Sequence, residues 1–185
     1  MKIYTKTGDA GETGLLSGKR VPKTNPFIEG LGAIDEAMAA MGLVHAALLE
    51  KNFNAETTAV EKIQKVLFYI GTIVAREGTM KKGWPEHLTL ELEQSIDQWG
   101  GKLPELKNFV LPGGTTLTAY IHQARASVRK MERELIPLLQ KSAPRHPALV
   151  YINRLSDYLF QLSRWAAFKQ KSPEILLHPD HVEDL

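Results

Sequence analysis

The chain contains no cysteine. That absence excludes disulfide scaffolds, thiolate zinc sites, iron–sulfur clusters and cysteine nucleophiles. Long apolar runs are also missing: none approaches the ~20 residues that cross a bilayer, and the first residues lack the apolar region of a secretory signal. We therefore expect a cytoplasmic protein with no membrane partner.

A strong excess of either charge is lacking as well. The chain has 23 lysines and arginines against 21 aspartates and glutamates, and its formal net charge is +2 at pH 7. A balance this mild does not indicate nucleic acid as a partner. With 43% hydrophobic and 24% charged residues, the composition is that of a globular protein and excludes a disordered or collagen-like chain. The length of 185 residues suits one domain that folds without a disulfide or a metal.

Apolar residues recur at steps of three and four through most of the chain. Five such patterns predict amphipathic helices, and no strand-like alternation competes with them. The first helix is expected to begin at Asn25-Pro26, since asparagine caps helices and proline suits the first helical position. The third helix is expected to run from Pro85 to Trp99, and the fourth to open with Thr115 or Thr116 as its cap. Together the patterns predict an all-α protein, a five-helix up-and-down bundle.

The single predicted domain, residues 1–185, divides into three parts. Residues 1–25 hold four glycines among threonines and lysines without apolar periodicity, and we predict a loop there. Residues 26–170 hold the bundle, and residues 171–185 are predicted to form an irregular tail. Pro137 falls inside the fourth helical pattern, so that helix is expected to kink or end near Glu134 to Leu135.

The fourth helix carries a polar stripe beside its apolar one. The stripe, again at steps of four and three, consists of Thr118, His122, Arg125, Arg129 and Glu132. Arg125, Arg129 and Arg133 repeat every four residues, which stacks like charges and is locally unfavourable. An anionic ligand or acidic side chains of another helix would relieve that repulsion. A solvated face is the alternative interpretation, because charge runs are usually solvated.

Polar residues elsewhere also leave more than one interpretation open. Asn153 and Asp157 share a face of the fifth helix, where they could pair with the fourth-helix arginines or make ordinary interhelical hydrogen bonds. The N-terminal loop has the glycines, hydroxyls and lysines of a phosphate cradle but no Walker motif, and a flexible terminus has the same composition. His178 and His181 could form a metal clip, although such pairs are usually inert. Phe109, beside a glycine turn, suits core packing.

Several separated motifs resemble, in the same order and with compatible spacing, those of the PduO-type ATP:cob(I)alamin adenosyltransferases. They are Tyr4-Thr5-Lys6-Thr7-Gly8-Asp9, Gly11-Glu12-Thr13, Gly18-Lys19-Arg20, Lys23, Gly32-Ala33-Ile34-Asp35-Glu36, Phe109-Val110-Leu111-Pro112-Gly113-Gly114, His122-Gln123-Ala124-Arg125 and Ile152-Asn153-Arg154-Leu155-Ser156-Asp157. The resemblance covers nearly the whole chain. Agreement among several motifs is far more specific than any one of them.

The resemblance implies a fold, a reaction and partners. The expected fold is a five-helix bundle that assembles as a homotrimer with active sites between subunits. The expected reaction transfers the 5′-deoxyadenosyl group of ATP to cob(I)alamin and releases triphosphate. Mg²⁺ is expected on the ATP phosphates, with no metal held by side chains. A cob(II)alamin reductase and an adenosylcobalamin-dependent acceptor enzyme are the further partners it suggests.

The resemblance also assigns site residues. The residues expected to bind ATP are Thr5, Lys6, Thr7, Gly8, Thr13, Gly14 and Lys23 in the loop, Arg129, Lys130, Glu132 and Arg133 on the fourth helix, and Asn153 on the fifth. Arg129 is the residue expected to stabilise the leaving triphosphate. Asp35 and Arg125 look like an intersubunit ion pair. Phe109 looks like the residue that packs under the corrin and displaces its lower axial ligand.

The chain departs from the family pattern at a few positions. Lys130 stands where a second arginine is common, and lysine keeps the charge but lacks the bidentate fork. Met131, Ala10 and Pro137 are also unusual. Two other functions stay open: a non-catalytic trimer that binds and delivers a corrinoid, and another ATP-using helical-bundle enzyme. The composition of the N-terminal loop further predicts disorder until ATP binds.

Overall fold

A computed structural model describes residues 3–141 and 143–177. Five helices hold most of these residues, as the periodicity predicted. They are α1 (Pro26–Glu50), α2 (Asn54–Val74), α3 (His87–Gly100), α4 (Thr116–Leu139) and α5 (Pro147–Lys169). α1 packs against α2 and α4, and α5 packs against α4 and α3. The predicted five-helix bundle is therefore confirmed.

Side-chain caps fix where three of the helices begin. The Asn25 side chain accepts a hydrogen bond from the Phe27 amide at 3.0 Å, as expected for an Asn-Pro start. Thr115 is the cap of α4, with its hydroxyl 3.3 Å from the Thr118 amide. His146 caps α5 through its ring Nδ1, a role that the sequence did not indicate. The predicted third helix begins at His87, two residues later than Pro85.

The core lies between the apolar stripes of the helices. The apolar residues that recur at steps of three and four along α4 and α5 are buried, and Met131, Leu135 and Leu159 among them have no exposed surface. α1 approaches α4 closely at Gly30, where an added Cβ would lie 2.9 Å from methyl groups of Leu135 and Leu138. The absence of a side chain at position 30 therefore sets the distance between these two helices.

α1 is more apolar than the lack of a long apolar run in the sequence indicated. By length and composition alone it is the one helix in the described part of the chain that could cross a membrane. In the bundle its residues Ile34, Met41 and Leu48 are buried against neighbouring helices. A helix of a protein core passes the same test, so this property is weak evidence for a membrane segment.

α4 does not end near Glu134 to Leu135. It continues through Pro137 to Leu139, so an end at that point is wrong, while a kink there stays a prediction. Proline removes one backbone hydrogen-bond donor from the last turn. The turn is nevertheless held by packing, because Leu138 and Leu139 are buried in the core. Tertiary contacts here outweigh the local preference of proline.

Two short antiparallel ribbons occur where loop and tail were predicted. β1 (Glu12–Gly14) pairs with β2 (Arg20–Pro22), and β3 (Phe109–Val110) pairs with β4 (Leu176–Leu177). Phe109 lies opposite Leu177, so the described part of the tail returns to the glycine turn before α4. Strands of two or three residues are too short to produce an alternating pattern, which is why the sequence did not reveal them.

Aromatic rings fill the space around α3 and α5. Trp99 and Trp165 stack at 6.2 Å between ring centroids, with 13° between their planes. Trp84, in the connection before α3, lies 6.0 Å from Tyr69 of α2 and 5.7 Å from Tyr151 of α5. These contacts attach α3 to the rest of the bundle.

Candidate active site

The N-terminal hairpin, formed by β1 and β2, is attached to the carboxyl end of α2. Leu15 is buried, and the Leu16 amide donates to the Ala75 carbonyl at 2.9 Å. Beside them the Lys19 ammonium lies 2.9 Å from the Glu77 carboxylate. The hydrogen bond from Lys19 lowers the pKa of Glu77 below its ordinary value. The hairpin therefore has a defined place on the bundle, and disorder of the N-terminal loop before ATP binds stays a prediction.

Arg20 connects the hairpin of β1 and β2 to the segment that precedes it. Its Nη2 donates to the Thr7 carbonyl at 2.8 Å, and its Nε lies 3.4 Å from the Glu12 carboxylate. Arg20 belongs to a motif that carries the resemblance but is not among the predicted site residues. The signal was there, since Gly18-Lys19-Arg20 carries the resemblance, but its bond to a backbone carbonyl cannot be read from composition.

The residues expected to bind ATP in this segment come together. The hydroxyls of Thr5 and Thr7 lie 2.8 Å apart. A Cβ added to Gly8 would lie 3.5 Å from the Lys23 ammonium, so the glycine leaves room for this cation over the loop. The remaining predicted members, Thr13 and Gly14, lie on β1.

The backbone at Lys6 has an uncommon conformation. Its φ angle is 61°, in the left-handed region that non-glycine residues rarely occupy. Such strain costs ~1–3 kcal/mol and is concentrated at ligand-binding segments. This conformation, beside two threonine hydroxyls, suits the ATP-binding role that the resemblance assigns to the loop.

The polar stripe of α4 runs from the buried to the exposed side of the helix. Thr118 and His122 are buried, Arg125 is half-buried and Arg129 is exposed. Burial lowers the pKa of His122 below its ordinary value, and the charge of Arg125 lowers it further, whereas Glu174 opposes the shift. His122 is therefore neutral at pH 7 and adds no charge to the arginine row.

Arg125 and Asp35 do not meet within one chain. Nε of Arg125 is buried without a hydrogen-bond partner among the described residues, and burial followed by the charge of Arg129 lowers the pKa of its guanidinium. Asp35 lies on the exposed side of α1 and makes no hydrogen bond or ion pair with another described residue. A buried donor without an acceptor is costly. Nε of Arg125 would therefore gain from an acceptor that the described residues do not supply.

The other predicted nucleotide-facing residues differ in their partners. Arg129 makes no side-chain hydrogen bond or ion pair with a described residue, whereas the Lys130 ammonium lies 2.9 Å from Glu36 of α1. Arg133 donates to the Arg129 carbonyl at 2.9 Å. These contacts leave the Arg129 guanidinium available to an anion.

Of the two interpretations open for the fifth-helix polar residues, the structure shows an interhelical hydrogen bond for Asn153 and no pairing with arginines of α4. Asn153 donates to Glu132 at 3.0 Å, and Asp157 accepts from Arg154 of its own helix at 2.8 Å. The Asn153 amide can donate to the Glu132 carboxylate of α4, so its hydrogen bond does not require an arginine. Glu132 and Asn153 thus share one end of the stripe.

Phe109 does not pack in the core. Its side chain is 75% exposed and lines a groove of about 570 Å³. The other residues of the groove are Leu106, Lys107, Asn108, Val110, Arg125 and Phe160. The groove is mainly apolar with one arginine at its wall, a composition that suits a large ligand with a flat apolar surface.

Metal ligands are not grouped in the described part of the chain. No cluster of three or more histidine, aspartate or glutamate side chains is found there. The possible clip of His178 and His181 lies outside the described residues. Mg²⁺ on the ATP phosphates therefore remains an expectation from the resemblance.

Comparisons with known proteins identify the family of the chain. The family model described as cobalamin adenosyltransferase matches residues 3–166. The chain therefore belongs to the cobalamin adenosyltransferase family. The corrinoid adenosyltransferase MMAB of Mus musculus is 38% identical over 180 residues, which cover 94% of this chain and 76% of the relative. A corrinoid adenosyltransferase of Bacillus subtilis is 39% identical over 167 residues, covering 89% of this chain and 86% of the relative.

Solved structures share the fold over almost the full length. A phenylalanine-to-histidine variant of the PduO-type ATP:corrinoid adenosyltransferase of Lactobacillus reuteri, complexed with cobalamin and ATP, has a TM-score of 0.87 and 32% identity. The match covers 96% of this chain and 97% of that chain. An arginine-to-lysine variant of the same protein, complexed with ATP, has a TM-score of 0.85 and 33% identity over 95% of this chain and 100% of that chain.

Proposed function

We propose that the chain transfers the 5′-deoxyadenosyl group of ATP to cob(I)alamin and releases triphosphate. The observation that carries this function is the shared position of two features on α4. Arg125 lines the apolar groove beside Phe109, and Arg129, one helical turn further along, presents a guanidinium with no partner among the described residues. A flat apolar ligand and a polyphosphate would thus lie next to one another on a single rigid helix.

The chemistry requires little reactive machinery from the protein. Cob(I)alamin is itself a strong nucleophile and attacks C5′ of the ribose, so that a cobalt–carbon bond forms as the C5′–oxygen bond to triphosphate breaks. The leaving group gains negative charge as that bond breaks. Catalysis then consists of aligning the substrates and stabilising the leaving triphosphate. This agrees with the absence of a hydrolase-like triad from the motifs of the sequence.

Arg129 is the residue proposed to stabilise the triphosphate. It lies on a helix whose opposite face is packed in the core, so its backbone position is fixed before substrates bind. Lys6 and Lys23, held over the N-terminal loop, are proposed to bind the phosphates together with their Mg²⁺. The remaining predicted ATP contacts, among them Glu132 and Asn153, are proposed to orient the nucleoside.

Phe109 is proposed to favour the reducible form of the corrinoid. Reduction of cob(II)alamin is difficult while water or a base occupies the lower axial position. An apolar ring exposed in the groove would exclude such a ligand and favour the four-coordinate state. We expect Phe109→Ala to remove the four-coordinate cob(II)alamin signal in electron paramagnetic resonance while ATP binding is retained. An undiminished signal would contradict this role.

We also propose that the protein works as a homotrimer with its sites between subunits. The unused donor of Arg125 supports this, because Asp35 of a second copy would supply the acceptor. A second support is an apolar groove of about 510 Å³ beside Asp35, lined in part by Leu16, Met38 and Phe68. Phe68 is 66% exposed in the single chain, and a second copy would cover it.

Location and further partners are proposals of the same kind. We propose that the protein acts in the cytoplasm, without nucleic acid or membrane as a partner. A cob(II)alamin reductase would supply the substrate, and an adenosylcobalamin-dependent enzyme would accept the product. The requirement for these two partners follows from the chemistry, since cob(I)alamin must be generated and adenosylcobalamin must be used.

The test is an anaerobic assay of the purified protein with chemically reduced cob(I)alamin and MgATP. We expect the absorbance change of a new cobalt–carbon bond, with adenosylcobalamin and triphosphate formed in equal amounts. ADP or diphosphate as product would instead support another ATP-using enzyme. Tight binding of both ligands without turnover would support a corrinoid-delivering trimer.

A further inference from the structure

Arg164 of α5 is a buried cation that the proposed chemistry does not use. Its side chain is 7% exposed. Nε lies 3.1 and 3.3 Å from the two carboxylate oxygens of Glu174, and Nη2 donates to the Pro104 carbonyl at 2.8 Å. A guanidinium removed from water needs such partners, since an unpaired buried charge is strongly unfavourable.

The two partners of Arg164 belong to the two segments that form the β3–β4 ribbon. Pro104 lies in the connection that leads to β3, and Glu174 lies just before β4. Beyond the paired residues the ribbon gains one more hydrogen bond, from the Leu111 amide to the Ile175 carbonyl at 2.9 Å. One buried side chain therefore attaches both strands to α5.

The ribbon needs an attachment of this kind. A two-stranded ribbon is marginal by itself, and this one has only two residues in each strand. Phe109 cannot hold it by packing, because its ring is 75% exposed. The segment before β4 instead lies close against α4 and α5, with a cavity of only about 20 Å³ lined by His122, Ser163 and Glu174, among other residues.

We propose that Arg164 and Glu174 are positioning residues that fix the backbone of Phe109 through the β3–β4 ribbon. The ion pair holds the ribbon on α5, and the ribbon sets the height of the Phe109 ring in the groove. The effect of the ion pair on the corrinoid rests on the proposed function. The attachment of the ribbon to α5 does not. The two can therefore be tested separately.

The first experiment measures hydrogen–deuterium exchange of the free protein. Arg164→Lys keeps the charge, but one ammonium cannot serve the carboxylate and the carbonyl as a guanidinium fork does. Glu174→Gln, on a partly exposed segment, is the variant that preserves folding. We expect amide exchange at residues 109–111 and 174–177 to become about tenfold faster in both, and the double variant to add little. Glu105→Gln, an exposed glutamate of the same connection, is the matched control and should exchange like the wild type.

The second experiment follows the corrinoid. With MgATP and cob(II)alamin, both variants should lose most of the four-coordinate signal in electron paramagnetic resonance and lower kcat more than they change KM for ATP. Unchanged exchange at the ribbon would overturn the attachment itself. Faster exchange with a fully retained four-coordinate signal would overturn its effect on Phe109. If the wild type shows no corrinoid chemistry, the proposed function fails, and the exchange data alone decide whether the ion pair holds the ribbon.

Discussion

Arg129 and Lys130 are neighbours on α4 whose charges have different surroundings. The Lys130 ammonium is held by Glu36, and the hydrogen bond that it donates to that carboxylate raises the pKa of Lys130 above the ordinary value. Arg129 has no such partner among the described residues. A charge already compensated within its own chain contributes less to an incoming anion than an uncompensated one. The resemblance alone assigned both residues to ATP, and the structure distinguishes them.

We expect Arg129→Ala to lower kcat by a factor of ~100 to 1,000, the usual effect of removing one preorganised contact to a developing charge. Lys130→Ala should cost less, because Glu36 already engages the lysine. Arg145→Ala, at an exposed position between α4 and α5, serves as control. Rates of adenosylcobalamin formation with saturating MgATP measure the three variants. Equal losses for Arg129→Ala and Lys130→Ala would contradict the distinction.

At the scale of single elements, the start of α5 depends on an unusual cap. The Ala148 amide donates to Nδ1 of His146 at 3.3 Å, which requires a neutral ring with its proton on Nε2. His146 is 2% exposed, and burial lowers its pKa below the ordinary value. Protonation of the ring would remove the acceptor. The folded protein therefore resists binding a proton at this position.

This predicts a dependence of stability on pH. The pKa of His146 is lower in the folded than in the unfolded state. The stability that its neutral ring contributes is therefore complete above the ordinary histidine pKa of about 6.5, and it is lost as pH falls through the pKa of the folded state. We expect His146→Asn, which keeps a good cap, to lose less stability between pH 7 and pH 5 than the wild type does. Urea unfolding at both pH values measures the difference. His87→Asn, at an exposed position, is the control, and equal losses in His146→Asn and wild type would contradict the prediction.

The contact between α1 and α4 predicts a second effect at this scale. We expect Gly30→Ala to destabilise the fold by ~1–3 kcal/mol, because the new methyl group would overlap side chains of Leu135 and Leu138. Gly42→Ala, on the same helix, would make only an ordinary contact and should be neutral or stabilising by ~0.5–1 kcal/mol. Thermal or urea unfolding of the two variants checks the contrast. Equal stability of both would show that the bundle relaxes at Gly30.

For the whole molecule, assembly is the property most open to test. We expect Asp35→Asn to weaken the trimer and lower activity, because Arg125, whose Nε is buried without an acceptor among the described residues, would lose the partner proposed for it. Glu36→Gln is the matched control for assembly, since Glu36 pairs with Lys130 within its own chain. Sedimentation velocity and the adenosylation assay measure the two effects. An Asp35→Asn protein that is fully active and trimeric would mean that the pair with Arg125 is dispensable.

The bundle could be predicted from the sequence because its helices are long and their buried residues repeat with the helical period. The short ribbons could not, since they are fixed by contacts between distant parts of the chain, such as the bond from Leu16 to Ala75. The same holds for the site. Motifs indicated the ATP loop and the α4 stripe, whereas the contacts of Arg20 and Arg164 with backbone carbonyls exist only after folding.

The positions of the tryptophans have a practical consequence. Two are stacked between α3 and α5, and the third lies just before α3 against Tyr69 of α2. None is on the hairpin or on α4. Intrinsic fluorescence will therefore report the docking of α3. Trp84 also contacts α2, the helix whose carboxyl end holds the hairpin, so a change of emission on adding MgATP alone would mean that an event at the hairpin reaches this contact.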